Sequence, residues 1–440
     1  MSETLEVWLD CDLCPMQRLG LLAHDRGQVR FHYDKTWLAQ QDIAFAIDPQ
    51  LTLDAGPFFP KPEAGNFGVF LDSSPDRWGQ TLMRRREALQ AKDDNRAART
   101  LYAWDFLLGV QDITRQGALR FRFADSETYL ANEALAAPPV TSLDELAAIA
   151  KELTRKHIDN LDQLRRWLAV LVAPGASLGG ARPKANYRDQ TGALWIAKFP
   201  AADDDRDIGA WEGVTWWLAR QAGIDMPPAK VERLGQGEHH TFCVQRFDRT
   251  TAESAKPGSR RFYASAMTLL GKEISEGTSY LELAEFLARR GEPDHIQADL
   301  EQLFRRVAFN VVIGNRDDHL RNHGFILGNR GWRLSPAFDV NPNIDKSTHV
   351  LNIDDADNRP SLETVLGTAA FYRLAPQRAR EIIDNVVAVV SDWKAVARRA
   401  KIAAADIELS ASAFAALETA RDKTRRWRDG ILIDGKSGSA

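Results

Sequence analysis

The sequence predicts an α+β fold of two lobes, preceded by an extra amino-terminal α+β domain and ending in a mostly helical carboxy-terminal lobe. Three observations predict it. Short runs of alternating apolar residues fill the start of the chain. A second set of such runs follows a small, polar and proline-bearing stretch at 125–141. From residue 280 the apolar spacing turns helical, broken by one strand pair near 323–335. The 440 residues allow two or three domains, each large enough to bury a core. The expected limits are 1–125, 142–250 and 251–440.

Leu5, Val7 and Leu9 alternate as in a strand. His24-Asp25-Arg26-Gly27 reads as a hairpin turn, with Val29, Phe31 and Tyr33 on one face of the returning strand. Residues 56–79 are rich in Gly, Pro, Ser and Asp and predict loops; 79–110 predict helix. After the linker expected at 125–141, Ser142-Leu-Asp-Glu145 forms a capping box. Leu143, Leu146, Ile149 and Leu153 continue at helical spacing. A second helix is expected over 161–172, stopping at Ala173-Pro174-Gly175. Then come a Gly-rich turn, two strands around Asp189-Gln-Thr-Gly192, a helix carrying Trp211, Trp216, Trp217 and Leu218, and two further strands.

Apolar residues make up 44% and charged residues 27%, and the formal net charge is −4. No global field draws such a chain onto nucleic acid or an anionic membrane. No apolar run approaches the ~20 residues that span a bilayer. A cytosolic, unanchored protein is expected. The three cysteines fit a reducing compartment. Cys11 and Cys14 form a lone C-x-x-C without the further ligands a zinc site needs, and read as packed reduced thiols.

The polar motifs suit phosphoryl transfer. That chemistry needs metal ions and a cation on the phosphates, and a carboxylate beside the attacking hydroxyl. Asn315-Arg-Asp-Asp-His-Leu-Arg-Asn322 places Asn322 five positions after Asp317, the spacing of the H-R-D-x-x-x-x-N catalytic loop. Asp317 is the candidate proton acceptor, and Asn322 offers an amide oxygen to Mg²⁺. Asp339, after Phe338 and beyond a hairpin expected around Gly328-Asn-Arg-Gly331, is the candidate second magnesium ligand. Lys198, ending Ile196-Ala197-Lys198, has the shape of a strand lysine that reaches ATP phosphates. Glu212 on the following helix is its candidate acidic partner. Gly179 and Gly180 in Ser177-Leu-Gly-Gly-Ala-Arg-Pro-Lys184 permit close approach of backbone N–H groups to phosphate, with Lys184 adding charge. Backbone groups at Gln245 and Phe247 are candidates for adenine. Taken singly, each motif also reads as an ordinary turn or strand end. Their shared order predicts a bilobal protein-kinase-like fold.

These same stretches resemble the HipA toxin family. The resemblance rests on Ser177–Lys184, the Lys198 strand, Gln245-Arg-Phe-Asp248, Asp317–Asn322 and Phe338-Asp339, and in the amino-terminal part on Gly27–Leu38 and Ser74-Pro-Asp-Arg-Trp-Gly79. It implies a bacterial serine/threonine kinase using ATP and Mg²⁺, the toxin of a type II toxin–antitoxin pair. It implies a HipB-like helix-turn-helix antitoxin as partner, with DNA contacted through that antitoxin. Protein substrates such as an aminoacyl-tRNA synthetase, growth arrest and persistence follow from it too. By this resemblance Gly179, Gly180, Ala181, Arg182, Pro183 and Lys184 contact the nucleotide phosphates. Lys198 binds ATP, Gln245, Arg246 and Phe247 hold adenine, and His319, Leu320, Arg321, Asn322, Phe338 and Asp339 complete the ATP site. Ser177 matches the family's autophosphorylated serine. Two other readings stay open. Asp317, His319 and Asn322 also fit the D-x-H-x-x-N of small-molecule phosphotransferases of the aminoglycoside type. A pseudokinase acting as a corepressor scaffold is the third.

Overall fold

The computed structural model describes residues 3–40, 42–131, 143–154, 161–175, 182–235 and 237–420. The chain forms two compact units. The first comprises Met1–Gly209, Pro227–Ile274 and Arg321–Ser335; the second comprises Ala210–Met226, Ser275–Leu320 and Pro336–Ala440.

In the first unit, β1 (Glu3–Leu9), β2 (Gln17–Asp25), β3 (Gln28–Tyr33) and β4 (Leu119–Phe123) form an antiparallel sheet in the order β3-β2-β1-β4. The alternation of β1 is realised, since Leu5, Val7 and Leu9 are fully buried. The β2–β3 turn places Arg26 at φ 49° and Gly27 at φ 84°. Two consecutive left-handed residues match the twist of a two-residue hairpin, which explains the glycine. Phe31, Phe67, Phe70 and Phe121 are buried together, with 5.7 Å between the Phe70 and Phe121 ring centroids. Each contributes roughly 2–3 kcal/mol by leaving water.

A second sheet, ordered β5-β6-β8-β7, contains β5 (Lys184–Arg188), β6 (Leu194–Lys198), β7 (Ala229–Glu232) and β8 (Thr241–Gln245). Asp189 makes the β5–β6 turn: its Oδ1 accepts from the amides of Thr191 (2.8 Å) and Ala193 (3.0 Å). One core joins this sheet to three helices, Arg77–Asp93, Leu143–Leu153 and Leu161–Gly175. It contains Trp78, Leu82, Leu146, Ile149, Ala185, Tyr187, Ala197 and Cys243. The indole of Trp78 donates to the Lys184 carbonyl (3.1 Å), so a helix from the amino-terminal stretch supports the second sheet. A third sheet pairs β9 (Tyr263–Ser265) with β10 (Gly324–Leu327), which pairs in turn with β11 (Trp332–Leu334). This β10–β11 hairpin is the strand pair expected from the sequence.

Two expectations change. The helix expected over 79–110 breaks, because Asn95 turns left-handed (φ 51°) and helix resumes only at Ala103–Leu108. The described start of the linker expected over 125–141 is held on the sheet. Leu130 is buried and its amide donates to the Phe121 carbonyl (2.8 Å), holding the chain on β4. Ser142 of the capping box lies outside the described residues, whereas Leu143, Leu146, Ile149 and Leu153 are buried as their spacing predicts.

The second unit is helical among its described residues. Helix Ile296–Ile313 lies at its centre; Leu300, Leu303, Phe304, Val307, Ala308, Phe309, Val311, Val312 and Ile313 are all buried. An apolar helix of this kind needs cover on most faces. Helices Tyr280–Arg290 and Pro376–Val390 pack against it. Trp393 and Phe414 stack at 3.9 Å, and the Trp211 indole donates to Asp406 (2.9 Å).

Candidate active site

Helix Ile296–Ile313 ends at Gly314, whose φ of 67° is left-handed. The Asn315 amide returns to the Asn310 carbonyl (2.9 Å), a Schellman-type stop. A Cβ on Gly314 would lie 2.1 Å from the Ala413 carbonyl oxygen, so glycine is required by space as well as by angle. The polar loop that follows is built from inside the unit. Asp318 is buried and accepts from the Tyr280 hydroxyl (2.6 Å) and the Asn310 amide (2.8 Å). The Asn315 amide donates to Asn310 Oδ1 (3.1 Å). Arg316 is buried too and donates to the carbonyls of Asn343 (3.0 Å), Lys346 (2.9 Å) and Ser412 (3.3 Å). Burial alone lowers its pKa, and these carbonyls solvate the charge.

Between these anchors Asp317 points outward with its side chain 60% exposed. Its Oδ1 accepts from the ammonium of Lys346, itself 43% exposed. The loop therefore presents the Asp317 carboxylate to solvent on a base held by the bonds of Asn315, Arg316 and Asp318. His319, two residues on, is half-buried, and its Nδ1 has no hydrogen-bond partner among the described residues.

Asp339 belongs to the same unit. Its φ is 57°, a left-handed conformation in a residue with a Cβ. Such a backbone costs about 1–2 kcal/mol and persists only where its surroundings impose it. The Thr215 hydroxyl donates to the carbonyl of Val340 (2.5 Å), and the Ala337 amide donates to the Asp225 carbonyl (2.8 Å). These bonds fix the chain on both sides of Asp339. Glu212 is buried on helix Ile208–Gln221 of this unit.

Lys198 and Asn322 lie in the first unit. Lys198 ends β6, opposite Lys184 of β5 and Phe242 of β8, with its ammonium 5.9 Å from the Phe242 ring centroid. Asn322 is buried at the end of the short 3₁₀ turn Leu320–Asn322, directly before β10. Arg321 is exposed and lowers the pKa of the half-buried Asp72 against the larger, raising effect of desolvation. The Ser265 amide (2.7 Å) and hydroxyl (2.8 Å) donate to that carboxylate.

Two expectations are corrected here. Lys184 does not add charge to a phosphate loop. It is fully buried and its ammonium bonds Asp76 Oδ2 at 2.5 Å, within the core that Trp78 closes. Arg246 is not an open hinge residue either. Its guanidinium is buried, paired with Asp248 (2.6 Å) and bonded to Asn186 Oδ1 (2.8 Å) and the Thr114 carbonyl (2.6 Å). The amides of Gln245 and Arg246 donate to the carbonyls of Pro228 (2.8 Å) and Leu194 (2.9 Å), so neither is a donor for adenine. Phe247 packs near Tyr263, with 5.9 Å between ring centroids. Arg182 is paired with Asp204. Ser177, Gly179, Gly180 and Ala181 lie outside the described residues.

Sequence reasoning missed three features: the left-handed Asp339, Lys346, and the ionic knot around Asp248. Only Lys346 left a signal. Asn343 is followed by Asp345 and Lys346, and its Oδ1 accepts from both of their amides (3.0 and 2.8 Å), as Asx turns do.

The comparisons with known proteins agree with the fold. Residues 5–104 match the HipA N-terminal domain and residues 176–393 the HipA-like C-terminal domain. A putative kinase of Haemophilus influenzae is 28% identical over 206 residues, which cover 42% of this chain and 59% of that protein. The serine/threonine-protein kinase toxin HipA of Shewanella oneidensis is 25% identical over 191 residues, 38% of this chain and 43% of that one. The chain thus spans about half the length of the curated relatives it matches. Among solved structures, HipA of a Shewanella oneidensis toxin–antitoxin system, in complex with HipB and its operator DNA, superposes with a TM-score of 0.64. That match covers 94% of this chain and 95% of that one at 17% identity, and shows a shared fold. No helix among the described residues is long and apolar enough to cross a membrane. With both of its characteristic domains present in order and the kinase-like α+β fold of HipA reproduced along nearly its whole length, the chain belongs to the HipA family.

Proposed function

We propose that this protein is an ATP- and Mg²⁺-dependent protein serine/threonine kinase that serves as the toxin of a type II toxin–antitoxin pair in the cytoplasm. One observation carries the reading: Asp317 stands exposed between Arg316 and Asp318, both buried and hydrogen-bonded. In this reading Asp317 accepts the proton of the attacking hydroxyl. Lys198 binds the nucleotide phosphates, residues 179–183 approach them through the backbone, and Gln245 and Phe247 flank adenine. Asn322 and Asp339 supply hard oxygen donors of the kind Mg²⁺ prefers. The ion, when bound, neutralises phosphate charge. Glu212 is the candidate acidic partner of Lys198. The three-part division at 1–125, 142–250 and 251–440 goes with these roles.

Relatives support the biological setting. The Shewanella HipA was solved with HipB and operator DNA, so a helix-turn-helix antitoxin is the expected partner and DNA is reached through it. The acceptor is a protein, with translation components such as an aminoacyl-tRNA synthetase as the first candidates, and Ser177 the site of self-modification.

Incubation of the purified chain with γ-labelled ATP and Mg²⁺ tests this. Label is expected in the protein itself, at Ser177. Asp317→Asn is expected to lower labelling by about 10³-fold or more while ATP binding persists. A wild-type chain that labels only small alcohols would instead indicate an aminoglycoside-type phosphotransferase. One that labels nothing would indicate a pseudokinase scaffold, and either result overturns the proposal.

A further inference from the structure

The ion pair between Asp317 and Lys346 is exposed on both sides. Pairs of this kind add at most about 1 kcal/mol to stability. Yet the backbone beneath Lys346 is elaborately fixed. Asn343 Oδ1 accepts from the amides of Asp345 and Lys346. The Asn343 amide donates to the Gly314 carbonyl (2.9 Å), at the helix stop that launches the catalytic loop. Arg316, the residue before Asp317, donates through one guanidinium nitrogen to the carbonyls of both Asn343 and Lys346. The Val350 amide donates back to the Arg316 carbonyl (3.2 Å). The turn that carries Lys346 and the loop that carries Asp317 therefore form one bonded body within the second unit. A flexible lysine on a free loop would lose much side-chain entropy on pairing. Here the backbone has already been fixed, so the remaining cost is that of the side chain.

From this arrangement we infer that Lys346 is a positioning residue for phosphoryl transfer, holding the Asp317 carboxylate in the direction the acceptor hydroxyl must approach. The inference rests on the kinase reading of Asp317. Its physical content is specific. A carboxylate beside a triphosphate is repelled and would swing to solvent, and an ammonium fixed on Oδ1 opposes both tendencies. The Asx turn at Asn343 is visible in the sequence, but its pairing with Asp317 is not, because Lys346 lies 29 positions beyond its partner in the chain. The role differs from that of a latch that masks the carboxylate until substrate arrives. A latch would make removal of the lysine speed the reaction; a positioning residue makes it slow.

The test is single-turnover and steady-state phosphorylation by wild type, Lys346→Ala, Lys346→Arg and Asp317→Asn/Lys346→Ala, with melting temperatures recorded for each. Lys346→Ala is expected to lower kcat about ten- to a hundred-fold with the KM for ATP within about two-fold of wild type. Lys346→Arg should recover most of that loss. In the Asp317→Asn background the lysine change should have no further effect, because the two side chains act as one unit. An unchanged or raised kcat in Lys346→Ala overturns the inference, as does a loss that appears only in KM. If the wild-type chain itself transfers no phosphate, the kinase reading has failed, and that result is distinguishable from failure of the lysine role alone.

Discussion

Asp248 and Asp317 each face a cation, and their fates differ. Asp248 in the first unit is buried, and Arg246 and Arg249 close on it at 2.6 and 2.7 Å while the Gly117 amide donates to it at 2.8 Å. Burial pushes its pKa up, but those cations and hydrogen bonds more than compensate and leave it far below the ordinary carboxylate range. Around it Arg115 and Arg260 are buried as well, their charges met by backbone carbonyls and by Asp112. Asp317 in the second unit pairs with the exposed Lys346 and is itself largely open to solvent. The lesson is that the same pairing does opposite work at opposite burial. In the knot, charge is locked and joins residues 110–117 to the strand end at Gln245–Asp248. On the loop, charge is presented.

The comparison breaks most sharply on stability. Removing one member of a buried pair leaves uncompensated charge, which costs about 3–5 kcal/mol. Asp248→Asn should therefore lower the unfolding free energy of the first unit by about that amount, read from the denaturant midpoint. Asp317→Asn should change it by less than about 1 kcal/mol, because its pair is exposed. If the two variants lose equal stability, burial is not what separates these aspartates.

A pH experiment sharpens the contrast from within the second unit. His349 is buried close to the loop that carries Asp317, and burial lowers its pKa to about 4 against the smaller, opposing pull of Asp318. In the unfolded chain it titrates near 6.5. Between those values the unfolded state binds more protons than the folded one, so stability falls as pH falls. His349 contributes its full stabilisation above pH 6.5 and loses about 3 kcal/mol by pH 4. The difference in unfolding free energy between wild type and His349→Gln should shrink over that window. A difference that stays flat from pH 7 to 4 would mean that the imidazole is not held neutral.

How legible all this was depends on how local each feature is. Asp317, Asn322 and the β10–β11 hairpin follow from spacing within some twenty residues of chain, and alternation along β6 and β8 was enough to set Lys198 at a strand end. Lys184 was misread because its partner Asp76 lies 108 positions away, and no periodicity announces a buried pair formed across such a distance. Arg246 was misread for the same reason, with the Thr114 carbonyl 132 positions distant. The identity of Asp339 was visible, but its left-handed backbone is imposed by the fold on a residue type that does not demand it. The amino-terminal strands were readable, whereas the break at Asn95 hinged on one backbone angle.

The smallest expected effect concerns the rim of the arginine knot. There the Asp12 amide donates to the Arg260 carbonyl (3.0 Å), and Asp10 pairs with Arg120 (3.1 Å). Between and beside these aspartates sit Cys11 and Cys14, with Sγ atoms 3.6 Å apart. The hydrogen bond from Cys11 holds the Cys14 thiol down to about 6 against the opposing effect of burial, while the same bond drives Cys11 up. Burial pushes Cys243 up to about 12. Of the three, Cys14 is therefore the thiol whose charged form is favoured, and reactivity follows the thiolate. Native labelling with iodoacetamide at pH 7, read by peptide mass, should modify Cys14 before Cys11 or Cys243. Cys11→Ala removes the donor and should slow Cys14 labelling about ten-fold or more at that pH. Equal labelling of both cysteines, or a Cys14 rate indifferent to Cys11→Ala, would show that the neighbouring thiol does not set its charge, and that at this rim the contrast between locked and presented charge does not extend to sulfur.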